Sequence, residues 1–231
     1  MVFLGGSGVI GTQNEHSLHA SLKEYFGQLG GIVEGSVDGF VIDVVQENRL
    51  VEIQTKNFSS IKKKLSQLLQ EHRVHLVHPI AAKKQLVTID PKTGEILSIR
   101  KSPKKGKIYD VFSELIRIPH LITNPNLTIE VLLVVEQEIR CQDGKGSWRR
   151  RGISIIDRRL AKIVASHVLG SVSDYIGLLP KGLEKKFTNK ELAKELGLPV
   201  TTARKINYTL KKAGIITEVG KTGNEIIHEI A

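Results

Sequence analysis

Two acids, Asp43 and Glu52, stand inside the apolar, β-branched runs "FVIDVV" and "LVEIQ". A carboxylate placed there is costly unless a cation or several hydrogen bonds compensate it. Side chains alternate along a strand, so Glu52, Gln54 and Lys56 are expected on one face, and hairpin pairing of the two runs brings Asp43 beside them. Two convergent carboxylates are hard oxygen ligands suited to Mg²⁺ or Mn²⁺. Such an ion activates a water and neutralises charge developing on a phosphodiester. The chemistry this predicts is hydrolytic nuclease chemistry. The competing reading is structural: each acid faces solvent or pairs with a basic side chain.

Several elements must position these groups. Leu18, Leu22, Tyr25, Phe26 and Leu29 recur at helical spacing, with Asn14 placed to cap the start and Gly30-Gly31 to stop it. Glu15 lies three residues before Leu18, on or beside the buried face. Residues 32–37, 40–45 and 50–56 read as a meander of three strands broken by "DG" and "QENR". Ser59 is placed to cap a second helix with the apolar stripe Ile61, Leu65, Leu68 and Leu69, its Lys62, Lys63 and Lys64 turned largely toward water. "VHLVHPI" closes the unit as a fourth strand. The predicted order is α, β, β, β, α, β, a mixed sheet coverable on both faces.

That order, with Asp43 on the second strand and Glu52 nine residues on in the third, resembles the core of the PD-(D/E)XK nuclease superfamily, the restriction-endonuclease-like fold. The resemblance covers about the first 80 residues. It implies that Asp43 and Glu52 hold Mg²⁺ or Mn²⁺, with Glu15 or Glu34 assisting as a further acid. Gln54 departs from the pattern, because it occupies the usual lysine position and carries no charge. Some members of the superfamily relocate that lysine, and Lys56 or Lys62 is placed to substitute.

Farther along, "QLVTIDPKTGEILSIR" reads as a hairpin, "IYDVFSELIRI" as a short helix and "LTIEVLLVVEQEIR" as a long strand extending the sheet. The basic loop Trp148, Arg149, Arg150 and Arg151 follows. Such loops clamp phosphates, and a tryptophan there can stack on an unpaired base, the alternative being a solvated loop with Trp148 as a packing anchor. From residue 157 onward a helical connector is expected to lead through "LPKGLEKKF" into a distinct C-terminal unit. There Thr188 and Glu191 form a capping box, "GLP" a turn, residues 200–213 a second helix ended by Gly214, and residues 215–219 and 225–230 a hairpin around "GKTG". This resembles a winged helix-turn-helix domain. Carried over, Thr201, Thr202, Arg204 and Lys205 face base edges, while Lys211, Lys212 and Lys221 reach phosphates. Winged helices also mediate protein contacts, which is the alternative here.

Composition agrees with a polyanionic partner. Thirty-four Lys and Arg against 24 Asp and Glu leave a formal +10 in 231 residues. Cys141 is the sole cysteine, excluding an internal disulfide and thiol zinc clusters and pointing to the reducing cytoplasm. No apolar run is long enough to span a bilayer, so no membrane partner is expected. Gly6, Gly8 and Gly11 in "GSGVIG" match a dinucleotide-binding spacing, but only "MVFL" precedes them, and residues 1–14 read as a flexible tail. The expectation is an α/β protein: a restriction-endonuclease-like αβββαβ core over 15–156, then connector and winged helix over 157–231, acting on DNA. A non-catalytic DNA-binding regulator on a nuclease-like core is the other class. Cutting both strands often takes two active sites, so a homodimer accompanies the nuclease reading.

Overall fold

The computed structural model describes residues 18–231; Glu15 and the expected tail lie outside them. The first helix, α1 (Leu18–Gln28), buries Leu18, Leu22 and Phe26. Strands β1 (Ile32–Val37), β2 (Phe40–Gln46) and β3 (Arg49–Ile53) follow as the antiparallel meander. The β1–β2 reversal uses Asp38 and Gly39, both at positive φ, the backbone of a two-residue hairpin turn. Helix α2 (Lys62–Leu68) then crosses over the sheet so that β4 (Val74–Ile89) lies parallel to β3. The sheet order is β1-β2-β3-β4-β6-β7, with β5 (Ile96–Lys101) paired to the far half of β4. Strand β6 (Leu127–Cys141) is parallel to β4, and the edge strand β7 (Ser154–Leu169) is antiparallel to β6. The protein is therefore an α/β chain on a mixed, mostly antiparallel sheet.

Helices cover both faces. Leu18, Leu22 and Phe26 of α1 pack with Val44, Val51, Ile53, Val77, Leu132 and Val134 on one side. On the other, Leu65 and Leu68 join Ile42, Leu50, Leu76 and Ile129. That second cluster continues without a break through Phe112 and Leu115 of α3 (Phe112–Leu115) into Phe187, Leu192, Ile206 and Leu210. The C-terminal unit thus shares a core with the sheet domain. It comprises α4 (Val172–Ile176), β8 (Lys186–Thr188), α5 (Asn189–Leu196), α6 (Val200–Lys212), β9 (Ile216–Thr222) and β10 (Glu225–Ile230), the strands ordered β8-β10-β9.

Three sequence expectations change. Residues 157–169, expected as the start of a helical connector, complete β7, because the long β6 offers a full-length partner and Leu160 and Ile163 pack toward α1. Apolar spacing in "IIDRRLAKIVASHVL" fits either period, and sheet pairing decides. Ser59 does not cap α2; the N-cap is Ile61, without a side-chain bond. The last hairpin turns at Gly223-Asn224, with Gly223 at positive φ, so β9 carries Lys221. The capping box stands as read: Thr188 Oγ1 accepts from the Glu191 N–H at 3.3 Å and the Glu191 carboxylate accepts from the Thr188 N–H at 2.7 Å. Among the described residues no helix is long and apolar enough to cross a membrane.

Candidate active site and nucleic-acid interface

The β2–β3 ladder runs from Gln46↔Arg49 to Val44↔Val51 and stops there. Beyond it the Ile53 N–H donates to Asp43 Oδ2 at 2.8 Å. Strand β3 stays attached to β4, since the Gln54 N–H reaches the Val77 carbonyl at 2.9 Å. It is β2 that peels away. Ile42 and Val44 accordingly fall in the two different core clusters, although strict alternation would place them on one face. Asp43 occupies this break, at the mouth of a gap between two neighbouring strands.

Two helices reach into the gap from opposite sides. From α1, His19 Nε2 lies 3.3 Å from Asp43 Oδ2, and Lys23 Nζ lies 3.7 Å from Oδ1. Lys23 also donates to Glu34 at 2.5 Å, which ties Glu34 to Asp43 through a shared cation. From α2, Lys64 pairs with Glu52 Oε1 and donates to the Val41 carbonyl at 2.6 Å. Glu52 is only 5% exposed. Burial alone would raise the Asp43 carboxyl, but hydrogen bonds from His19 and the Ile53 N–H, with the His19 and Lys23 charges, hold it below its ordinary value. Burial pushes Glu52 up despite Lys64, and the Asp43 charge pushes it further. The two carboxylates therefore feel one another across the gap, one stabilised as an anion and the other under-compensated.

A buried acid pair elsewhere gives the contrast. Glu136 and Glu138 share Lys84 at 2.8 and 3.0 Å, and Arg140 bonds Glu138 at 2.7 Å. Burial opposes ionisation of Glu138 too, yet Arg140 and Lys84 outweigh it and lower its pKa. That cluster is an ion network around Lys84 in which Glu136 Oε1 still makes no hydrogen bond. At Asp43 and Glu52 the residual repulsion shows in the raised Glu52 carboxyl, which a divalent cation would relieve. Carboxylate oxygens are the hard ligands that Mg²⁺ or Mn²⁺ takes, and among the described residues Asp43 Oδ1 is approached by Lys23 at 3.7 Å. Among the described residues no group of three or more His, Cys, Asp or Glu side chains gathers as a metal site.

The other residues singled out in the third strand are placed differently. Gln54 turns into the following loop, its amide donating to Lys56 O at 2.6 Å, Asn57 O at 3.2 Å and Ser60 Oγ at 3.1 Å. Lys56 lies past the end of β3, exposed, and does not share the strand face of Glu52, because β3 ends at Ile53. Lys62 is exposed as well, and Lys64 is the α2 lysine that turns inward. The signal for Lys64 was available: it lies three residues after Ile61 and four before Leu68, within the apolar stripe. His78 braces the strand end, its Nδ1 2.7 Å from the Gln54 carbonyl, and burial lowers its pKa.

Basic residues populate two further surfaces. Trp148, Arg149, Arg150 and Arg151 cap the β6–β7 connection, all exposed or nearly so. On α6, Thr201, Arg204, Tyr208 and Lys212 form an outward ridge, while Thr202 is partly covered. Lys205 instead donates to Ser113 Oγ of α3 at 3.0 Å, and Lys211 to Glu218 at 2.8 Å. Lys221 is free of these contacts and exposed on β9.

A family model described as "Domain of unknown function (DUF8091)" matches residues 16–170, ending one residue after β7. A protein of Treponema pallidum (strain Nichols) described as an uncharacterized protein is 28% identical over 215 residues, 93% of this chain and 84% of that one. No solved structure matches.

Proposed function

We propose that this chain, which belongs to the family described as domain of unknown function DUF8091, is a metal-dependent DNA endonuclease. In this reading a PD-(D/E)XK-type core cleaves the phosphodiester and a winged helix-turn-helix unit holds the duplex. One observation carries it: the half-buried Asp43 and the buried Glu52 stand on neighbouring strands where the ladder opens, and the Asp43 charge acts on Glu52 although each has its own basic partner. The order α1-β1-β2-β3-α2-β4, with β3 and β4 parallel, agrees with such a core.

Asp43 and Glu52 would hold Mg²⁺ or Mn²⁺, which when bound polarises the phosphate and lowers the pKa of an attacking water. His19 and Lys23 keep Asp43 ionised at neutral pH. Lys64 supplies the positive charge that Gln54 cannot, from the helix rather than from the strand. Its ammonium lies against Glu52, and in this reading it would meet the non-bridging oxygens of a phosphate. Hydrolysis joins the water oxygen to phosphorus, breaks one P–O ester bond and leaves a proton on the departing oxygen. Thr201, Arg204, Lys212 and Lys221 contact the duplex, and with the buried Cys141 the expected compartment is the cytoplasm. A homodimer would supply the second site for double-strand cutting.

A second reading has its own observation. Gln54 stands where the motif expects lysine and is fully occupied in bracing the loop, as befits a non-catalytic DNA-binding regulator on a nuclease-like core. Incubating mixed DNA substrates with Mg²⁺ or Mn²⁺ separates the two. The endonuclease cuts, and Asp43→Asn, Glu52→Gln and Lys64→Met lose cutting while Lys62→Met does not. Salt-sensitive binding with no cutting in either metal selects the regulator.

A further inference from the structure

The turn between β6 and β7 does not look like a solvated connector. Trp148 is 83% exposed, the most exposed of the large apolar side chains among the described residues, and it is the only tryptophan in the chain. Full exposure of so large a ring forfeits the burial that normally retains it. The backbone beneath it is densely bonded: Gly146 N–H to Gly152 O, Arg150 N–H to Ser147 O, Arg151 N–H to Trp148 O and Ile153 N–H to Arg150 O, all between 2.9 and 3.0 Å. Arg151 is held at φ 52, a left-handed conformation uncommon for a long side chain. A Cβ on Gly146 would stand 1.9 Å from the Ile153 carbonyl oxygen, so the close approach of the two legs of the turn requires glycine. The chain accepts this unusual geometry and presents the indole to solvent on a fixed mount.

One cation lies over the ring and two more flank it in sequence. The Arg149 guanidinium lies 5.6 Å from its centroid, and Arg150 is anchored to the Ile153 carbonyl at 3.2 Å. At the foot of the turn, Ile155, Ile156, Asp157 and Arg158 line a cavity of about 260 Å³ together with Thr55 and His19. His19 is the residue that bonds Asp43. The tip therefore rises from the strand that borders the candidate active site.

We infer that Trp148 is a stacking platform for an unpaired DNA base, and that the enzyme's substrate class is duplex DNA with a single-stranded branch or end rather than uninterrupted duplex. A base in continuous duplex has both faces covered by its neighbours, whereas an unpaired base offers a face to the indole and its phosphates to Arg149, Arg150 and Arg151. This inference rests on the nuclease reading for the reaction, but not for the binding.

Because Trp148 is the sole tryptophan, its fluorescence reports stacking directly. In EDTA, without divalent metal, a duplex with a single-stranded arm is expected to quench the emission of the full-length protein, while the same duplex blunt-ended leaves it nearly unchanged. By anisotropy of labelled DNA, Trp148→Ala weakens binding to the armed duplex by roughly tenfold to a hundredfold and to the blunt duplex far less, and Trp148→Phe keeps most of the preference. Equal quenching by both DNAs, no quenching by either, or unchanged preference in Trp148→Ala overturns the inference. Failure of the nuclease reading appears elsewhere, as intact preference for the armed duplex with no cleavage once Mg²⁺ is restored.

Discussion

Replacing Lys64 with methionine tests the geometry at its most exposed assumption, that Glu52 is buried against one lysine. Removing one partner of a buried ion pair costs about 3–5 kcal/mol. The Lys64 side chain keeps 19% of its exposure, so the lower end applies. Loss of its bond to the Val41 carbonyl adds about 1 kcal/mol, for a total near 4. In a chain of this size each kcal/mol moves the melting temperature by about 2–4 °C, which predicts a drop of roughly 8–16 °C. The pH dependence has a definite sign. The folded pKa of Glu52 is already raised, and losing a lysine that lowers it raises it further. A group with a raised folded pKa contributes stability below its unfolded pKa and loses it as pH rises through the folded value. Urea unfolding should therefore show a large Lys64→Met penalty near pH 8 and a small one near pH 4, where the carboxyl is neutral. Adding Glu52→Gln should recover most of the loss near pH 8, giving a strongly non-additive cycle. A penalty that is the same at both pH values, or additive single variants, would refute the buried pair and with it the placement of Lys64 at the site.

Other perturbations read neighbouring parts. Gln54→Ala strips three acceptors of one amide and should lower stability by about 1–2 kcal/mol in urea unfolding, with DNA binding unchanged. Asp43 has a lowered folded pKa, so its contribution is present above the unfolded value and disappears as pH falls through the folded one; Asp43→Asn should flatten the acid limb of the stability curve below about pH 4. Thr188→Ala removes a cap and should cost about 1 kcal/mol, seen in the single unfolding transition that a continuous core implies.

How far the sequence could be read follows from the range of the forces involved. Helix α1, the meander and the capping box at Thr188 are set by local pattern, and each stands close to where its residues place it. Asp43 and Glu52 stand out in the sequence because an acid in an apolar strand demands compensation, and each has a basic partner on a helix, as the structural reading expects. Lys64, expected with Lys62 and Lys63 to face water, turns inward to Glu52, because three successive lysines look like a solvated face until the buried partner is known. The strand at 157–169 was lost for a similar reason: its apolar spacing serves helix or strand, and only the length of β6 selects one. Lys56 was misplaced by three residues of strand length, a boundary effect with functional weight.

The shared core changes what the C-terminal unit can do. Had it been tethered by a mobile linker, duplex bound on α6 could drift relative to Asp43, and cutting would spread over many positions. Here α6 packs on α3, Lys205 is bonded to Ser113, and Phe187, Leu192 and Ile206 belong to the same buried cluster as Leu65 of the helix that carries Lys64. Moving the unit would require opening that cluster, so the reach from the α6 ridge to the strand gap is fixed by packing. Under the nuclease reading, DNA held at Arg204 and Lys212 is cut at a constant offset. Lys205→Ala, which removes the Ser113 bond and leaves the apolar packing, should keep that offset. Loosening the packing with Ile206→Ala, at a cost of about 2–5 kcal/mol, should broaden the cleavage ladder on a sequencing gel before it abolishes cutting. An unchanged sharp ladder in Ile206→Ala would show that α6 does not set the position of the cut.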